Sequence, residues 1–583
     1  MDVFVFYLAK YWANDDNVRK ALHIRQGNIG KWRRCFDGNY KSEIVSSFEY
    51  HLNLSAKGFR SLIYNGDHDP IISFMATQAR IRNLNYTILD DWRPWLVQGQ
   101  VAGYTKTYSN QMTFATVKGA GHIAPEYESE ECFSMFSRWK SNKPLYQLTA
   151  ASGSNTVHYL PGFQGPLPFH LQTGYVGVGE EQSEDEQVFY YFVKSQNNPH
   201  RDPLLLWLSG GPACSSFSGL IFEIGPIAFK VEEYKGSLPN LTLRPHAWTK
   251  VSSIIFADLP VGTGFSYSKS LSSPQPSDWK LIHQAHRFLR KWLIDHPEFL
   301  SNEVYIGGDS YSGIPVPVLA QEISNGNEEG IQPWINIQGY VLGNALTTNT
   351  ETENYMIPFL HGMGIISDEL YTSFYDHCVE DKKNVVCSKV IEYLNKLILG
   401  LNLYNILDPK CEAPREVSRE KIQLFPPTSM DHTLPPLSCR KYVYHLAKYW
   451  ANDENVQKAL HIRKGSIGKW RRCFDGKYKS EIVNSFEFHL NVSAKGFRSL
   501  IYNGDHDPVI SFMATQAWIR NLNYTILDDW RPWLVQGQVA GYTRTYSNQM
   551  TFATVKGAGH IAPEYKSEEC FAMFSRWISD KPL

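Results

Sequence analysis

Residues Gly307–Gly313 read GGDSYSG, Asn503–Pro508 read NGDHDP and Lys556–Pro563 read KGAGHIAP. Each phrase follows an apolar run and is rich in glycine, the pattern of a strand that ends in a tight loop. Ser310 comes after VYIGG and before IPVPVL, so it is expected between a strand and a helix. Pro315 and Pro317 are tolerated there, because the first helical turn has unpaired N–H groups in any case. Read together, Ser310, Asp507 and His560 are the candidate nucleophile, acid and base. His560 would take the serine proton, while Asp507 would orient the imidazole and stabilise its cation.

Chain order adds a constraint. Unrelated folds assemble this triad in different orders, and Ser–Asp–His is the order of α/β-hydrolases. Asp505 is the competing carboxylate, with loop N–H groups as its alternative role. The G-x-S-x-G pattern is missed by one position, since residue 312 is Ser, but that side chain is still small. The stretch LWLSGGPACSS places Gly211 at the end of a central strand. The backbone N–H groups of Gly211 and Tyr311 are the expected oxyanion donors, each worth about 3–4 kcal/mol.

From Val157 to Leu583, apolar strands alternate with helices. The runs 187–195, 203–208, 251–257, 303–307, 338–342, 498–502 and 551–555 read as strands. Trp279, Ile282, Leu289 and Leu293 put a helix over 277–295. The prediction is an α/β fold: a mostly parallel sheet with helices on both faces. Between about 347 and 440 the pattern turns irregular, as in a cap inserted over the carboxyl edge of the sheet.

The acid and base phrases occur twice, at Asp69/His122 and at Asp507/His560, whereas the serine phrase occurs once. A shift of 438 positions aligns Leu8–Leu145 with Leu446–Leu583, with about 15 differences in about 138 positions. Residues 1–145 are therefore expected to be a duplicated, partial copy of the C-terminal half, 146–156 a junction, and 157–583 the working domain. A tandem duplication or a fusion of neighbouring genes accounts for this. LTAASG (148–153) resembles the tail of a signal peptide. Arg80 and Lys140 stand where the second copy has Trp518 and Ile578, so the first copy would place charge on a core face.

Bulk properties exclude several classes. The 583 residues carry a formal net charge of −1 and 14% aromatic residues, with no long run of like charge. Neither a nucleic-acid groove nor a membrane patch is expected, and no run approaches the ~18 apolar residues of a membrane span. No His/Cys clustering calls for a metal, and the triad needs no cofactor. Nine cysteines and the sequons at Asn53, Asn85, Asn240, Asn491 and Asn523 point to an oxidising, glycosylating compartment. The start MDVFVFYLAKYW, however, shows no recognisable signal peptide.

Together, LPGFQGPLPFHLQTGYVGVG, LWLSGGPACSS, YIGGDSYSG, YNGDHDP and GAGHIAPEY resemble the serine carboxypeptidase-like family (peptidase family S10) of the plant type. The resemblance covers about 159–583 and, separately, the N-terminal copy. It implies an α/β-hydrolase fold, acyl-enzyme chemistry and a secreted or vacuolar glycoprotein. It further implies a bond between Cys214 and Cys473, with more bridges among Cys378, Cys387, Cys411 and Cys439; Cys378–Cys387 and Cys411–Cys439 are favoured of the three connectivities. Cys570 is expected as a buried free thiol, and Cys35 has no second Cys214 to join.

Peptide-cleaving members typically carry N-G-G-P-G-C-S and G-E-S-Y-A-G, whose Asn and Glu bind the terminal carboxylate of the substrate. Here Ser209 and Asp309 stand in those places, and Ala213 replaces a glycine. The G-D-S-Y-S-G, A-P-E-Y and DDWRPW tracts are similar to members that move acyl groups from glucose esters. The expected partners are thus a small-molecule acyl donor and acceptor, with a peptide C-terminus as the alternative and an inactive fusion as a third reading. Arg472, brought near the oxyanion loop by Cys473, is a candidate for holding an acidic substrate group. A solvent-facing role is its alternative.

Overall fold

The computed structural model describes residues 3–24, 30–35, 38, 40–44, 46–97, 100–141, 145, 156–179, 185–270, 275–379, 385–411 and 435–583. Nearly all of the junction 146–156, including LTAASG, lies outside them, as does part of the cap region. The chain divides into two compact units, Met1–Tyr146 and Gln147–Leu583.

In the first unit, β1 (Ser61–Gly66), β2 (Ile88–Val97), β3 (Gln100–Tyr108) and β4 (Met112–Val117) form a sheet of order β1-β4-β3-β2. The second unit begins with β5 (Thr156–Val157), β6 (Leu171–Gly177), β7 (Glu186–Val193), β8 (Leu204–Leu208), β9 (Ile227–Phe229), β10 (Leu241–Leu243) and β11 (Ser253–Ala257). It continues with β12 (Tyr267–Ser268), β13 (Val304–Asp309), β14 (Ile337–Gly343), β15 (Arg498–Gly504), β16 (Ile526–Val535), β17 (Gln538–Tyr546) and β18 (Met550–Val555). Its 12-stranded sheet runs β16-β17-β18-β15-β14-β13-β8-β11-β7-β6-β5, with β12 beside β7. The middle six strands, from β18 to β11, are parallel, and antiparallel strands flank them on both sides. This is an α/β-hydrolase sheet.

All seven expected strands are present within a few residues of the predicted bounds. Why β8 reads as an unbroken apolar run is now visible. Leu205 and Trp207 enter the core on one face of the sheet, while Leu204, Leu206 and Leu208 enter the other. A strand covered on both faces has no polar side to show. The expected helix is Asp278–Asp295; the Ser277 side chain caps it by accepting from Lys280 N–H.

The cap region differs from its irregular reading. Among the described residues it contains three helices, Asn349–Gly362, Asp368–Cys378 and Val385–Ile398, with a core of their own that includes Phe359, Leu360, Val390 and Leu394. Cys387, Val390, Leu394 and Ile398 do form a helical stripe. A small satellite core needs only short stripes, and these are easily lost among the polar residues between them.

Three disulfides are formed: Cys214–Cys473, Cys378–Cys387 and Cys411–Cys439. Cys570 is a buried free thiol whose pKa burial pushes well up, and Cys35 is free and exposed. All five sequon asparagines are exposed. Trp518 and Ile578 are buried, whereas Arg80 and Lys140 are exposed. Among the described residues no helix is long and apolar enough to cross a membrane.

Trp518 lies 2% exposed against the His489 ring, with centroids 4.6 Å apart. Replacing it by arginine, the residue at the matching position 80, Trp518→Arg, strands a charge in that core. A loss of about 3–5 kcal/mol is expected in chemical denaturation, against under about 1 kcal/mol for the exposed Arg80→Ala.

Candidate functional site

β13 delivers Ser310 at its carboxyl end. A single turn of 3₁₀ helix, Ser310–Gly313, then leads into the helix Pro315–Glu328. Ser310 holds a φ of +55°, a left-handed conformation that costs an ordinary residue about 1–2 kcal/mol. The elbow closes only because its neighbours are small. A Cβ on Gly308 would lie 2.4 Å from Leu208 O, and one on Gly210 would lie 2.7 Å from Ser310 Cβ.

The three candidate residues meet. His560 Nε2 is 2.8 Å from Ser310 Oγ across 250 positions of sequence, and His560 Nδ1 is 2.8 Å from Asp507 Oδ2. All three are buried. Asp507 is held by further donors: Val509 N–H reaches Oδ1 at 2.8 Å, and Asn344 Nδ2 reaches Oδ2 at 2.8 Å. Asp505 is occupied elsewhere, accepting from Gly557 N–H at 2.7 Å and lying 2.5 Å from His506 Nδ1. The cap reaches the base through its backbone, where His560 N–H donates to Tyr404 O at 2.6 Å. Burial works against the imidazolium, but the charge and hydrogen bond of Asp507, helped by Asp309, outweigh it. The His560 pKa is therefore raised above the ordinary value.

The Gly210–Gly211 loop abuts the elbow, since a Cβ on Gly210 would also come within 2.9 Å of Tyr311 N. Gly210 N–H donates to Asp309 Oδ1 at 3.1 Å, fastening the two loops. Ala213 adopts a φ of +56°, a left-handed conformation that strains a residue with a Cβ. Asp258, fully buried, steadies the same loop by accepting from Ser215 Oγ at 2.6 Å and Ser216 N–H at 3.0 Å.

Ser209 and Asp309 lie beside the elbow, and Ser209 Oγ is buried with no hydrogen-bond partner among the described residues. Arg472 is brought in as well: its carbonyl accepts from Ser215 N–H at 2.7 Å, and its guanidinium lies 4.4 Å above the Tyr444 ring. Arg472 is half-buried. The guanidinium faces Asp309 together with two acids that sequence reasoning missed, Glu223 and Glu564. Glu223 and Asp309 are buried and Glu564 is half-buried; desolvation pushes the pKa of each up, with Arg472 opposing the rise. Trp207 Nε1 donates to Glu223 at 3.1 Å, and Tyr444 Oη lies 2.9 Å from Glu564. Glu223 did leave a signal, as a lone acid inside the apolar run LIFEIG. Asn344 left less, being one polar residue at the end of β14.

The sequence matches the serine carboxypeptidase family over residues 2–142 and 161–580. The chain belongs to the serine carboxypeptidase family. Serine carboxypeptidase-like 12 of Arabidopsis thaliana is 53% identical over 440 residues, which is 74% of this chain and 95% of that protein. Serine carboxypeptidase-like 17 of the same plant is 48% identical over 460 residues, 78% of this chain and 100% of that one. A prohormone-processing carboxypeptidase from Saccharomyces cerevisiae shares the fold, with a TM-score of 0.57 at 19% identity over 73% of this chain and 96% of its own. The protein is thus an enzyme of this family.

Only the neutral imidazole accepts a proton, so reaction of Ser310 with a fluorophosphonate is expected to rise with pH. Its midpoint should lie above the ordinary histidine value near 6.5. In Asp507→Asn the support for the cation is lost: the midpoint should fall below that of the wild type, and the labelling rate should drop by on the order of 10⁴. Rate–pH profiles of the two proteins check both.

Proposed function

We propose that the second unit is an acyltransferase working through a Ser310–His560–Asp507 triad, moving acyl groups from glucose esters to an acceptor hydroxyl or amine. The observation that carries the reading is the unbroken hydrogen-bonded line from Asp507 through His560 to Ser310. In the first step Ser310 Oγ attacks the ester carbonyl, its proton passing to His560 Nε2. The resulting oxyanion is held by Gly211 and Tyr311 N–H. Collapse breaks the bond to the sugar oxygen, which leaves with the proton from His560. An acceptor then loses its proton to His560 and attacks the acyl-enzyme, and Ser310 is released with its proton restored.

Ser209 and Asp309 favour transfer over peptide cleavage. The Asp309 carboxyl is drawn back to Gly210 N–H, away from where a longer side chain would reach a terminal carboxylate. Arg472 remains to hold an acidic group on the donor or acceptor. A carboxypeptidase is the second reading, favoured by the match to the serine carboxypeptidase family; it shares every step except that water resolves the acyl-enzyme. We read residues 1–145 as a repeat of the C-terminal half without a nucleophile; there Asp69 Oδ2 and His122 Nδ1 lie 2.9 Å apart. Three disulfides and exposed sequons at Asn240, Asn491 and Asn523 support a secretory route to the vacuole or outside the cell.

Purified protein given a hydroxycinnamoyl or galloyl glucose ester with a panel of acceptors should form new ester or amide, and a blocked dipeptide should release no amino acid. The reverse outcome establishes the carboxypeptidase. Silence in both assays, with Ser310 unlabelled, establishes an inactive fusion. Ser310→Ala should abolish transfer to below about 10⁻⁴ of wild type.

A further inference from the structure

Taking Ser310 as the nucleophile, the reading on which this rests, we infer that Asp278 is a positioning residue for its reaction. Through the Tyr311 hydroxyl and the segment 478–482 it holds the elbow so that Tyr311 N–H stays aimed at the oxyanion. Asp278 opens the helix Asp278–Asp295 and is fully buried. Its Oδ1 accepts from Tyr311 Oη and from Tyr478 Oη, each at 2.9 Å. Its Oδ2 accepts from Glu481 N–H at 2.7 Å and from Ile482 N–H at 2.9 Å. A carboxylate can be buried when so many donors meet it.

An acid in the first turn of a helix commonly serves only that helix, by complementing its dipole. Here Ser277 already caps the helix, and the four donors to Asp278 come from residues 33 to 204 positions away. Three of them lie in the segment 478–482, and the fourth is next to the nucleophile. That segment continues from the oxyanion loop: Cys473 is bonded to Cys214, and Phe474 N–H donates to Ala213 O at 2.9 Å. At its other end Ile482 packs with Tyr311 on a small core that includes Leu346 and Ile510. Residues 473–482 thus run from the Gly211 loop to the Tyr311 ring, and Asp278 fastens the far end.

The elbow needs such an anchor, because the left-handed Ser310 persists only where its surroundings over-determine it. The turn itself is tied by Ser312 Oγ to Leu208 O at 2.9 Å and by Ser485 Oγ to Gly313 O at 2.7 Å. The peptide between Ser310 and Tyr311 carries the expected oxyanion donor. Leu346 N–H pins its oxygen at 2.8 Å, but a peptide held at one oxygen can still pivot about it. The Tyr311 side chain closes that freedom: its hydroxyl, at the far end of the ring, is held by Asp278 and lies 2.8 Å from Ser480 Oγ.

Inactivation by a fluorophosphonate tests this, because the phosphonyl oxygen takes the place of the oxyanion while Ser310 Oγ displaces fluoride. A wild-type chain left unlabelled overturns the triad and this inference with it; with a labelled wild type, the variants judge Asp278 alone. Asp278→Ala should lower kinact about tenfold, as a misplaced donor does, with KI and the pH midpoint unchanged because the Asp507–His560 pair is untouched. Asp278→Asn should return kinact to within about threefold of wild type, since its amide oxygen accepts the two backbone N–H groups and its NH2 donates to the two phenol oxygens. Tyr311→Phe should lower kinact at least about threefold, and adding it to Asp278→Ala should cost nothing further, because the two act as one unit. Wild-type kinact in Asp278→Ala, a loss that Asp278→Asn does not restore, a change confined to KI or a shifted pH midpoint each overturn the proposal. If circular dichroism shows Asp278→Ala unfolded, Tyr311→Phe decides, and a wild-type kinact there overturns it equally.

Discussion

The parallel pairing of β14 with β15 is the constraint on which the candidate site depends. It joins two parts of the chain separated by the whole cap, and with β18 it carries both the acid and the base to the strand ends beside Ser310. Loop glycines and a strained serine bring a nucleophile into view at the end of β13, but they do nothing to recruit an imidazole 250 positions away. Register does that. Asn344, the residue directly after β14, hydrogen-bonds Gly504 N–H through its amide oxygen and Asp507 through its amide nitrogen, so the strand pair and the acid are locked by one side chain.

Burial sets the electrostatic problem of the site. A carboxylate without water is costly unless it is hydrogen-bonded, and Asp507 meets that condition with donors on both oxygens. Its remaining negative charge is what raises the His560 pKa against the desolvation of the ring. Glu223, Asp309 and Glu564 are placed differently. With fewer donors apiece, burial drives them toward the neutral form, and Arg472 offsets this only in part. The imidazole and these carboxyls are thus both raised in pKa, the first by the charge of Asp507 and the others by desolvation.

The two units show how far sequence identity underdetermines environment. The hairpin and parallel pair of β1–β4 repeat the register of β15–β18 residue for residue, because local pattern and turn chemistry are the same. Burial is not repeated. Trp450 is 1% exposed and its counterpart Trp12 is 59% exposed, since the first lies against Phe217, of the serine-bearing half, in a stacked pair at 5.3 Å. Without such a partner the same side chains face solvent.

What the sequence determined alone was order and chemistry. Apolar runs in a strand–loop–helix rhythm dictated a mostly parallel sheet, and three glycine-rich phrases named Ser310, Asp507 and His560 in the order of that fold. The helices of the cap escaped notice because short stripes in a small satellite core resemble irregular chain. Glu223 and Glu564 escaped because they are far from Asp309 and Arg472 in sequence and only packing brings the four together. The sequence also preferred Asp507 to Asp505, and in the folded protein Asp507 lies against the imidazole while Asp505 accepts from Gly557 N–H. Periodicity and turn residues act over a few positions and can be read along the chain; desolvation and charge pairing depend on distance through space, which only the folded protein supplies.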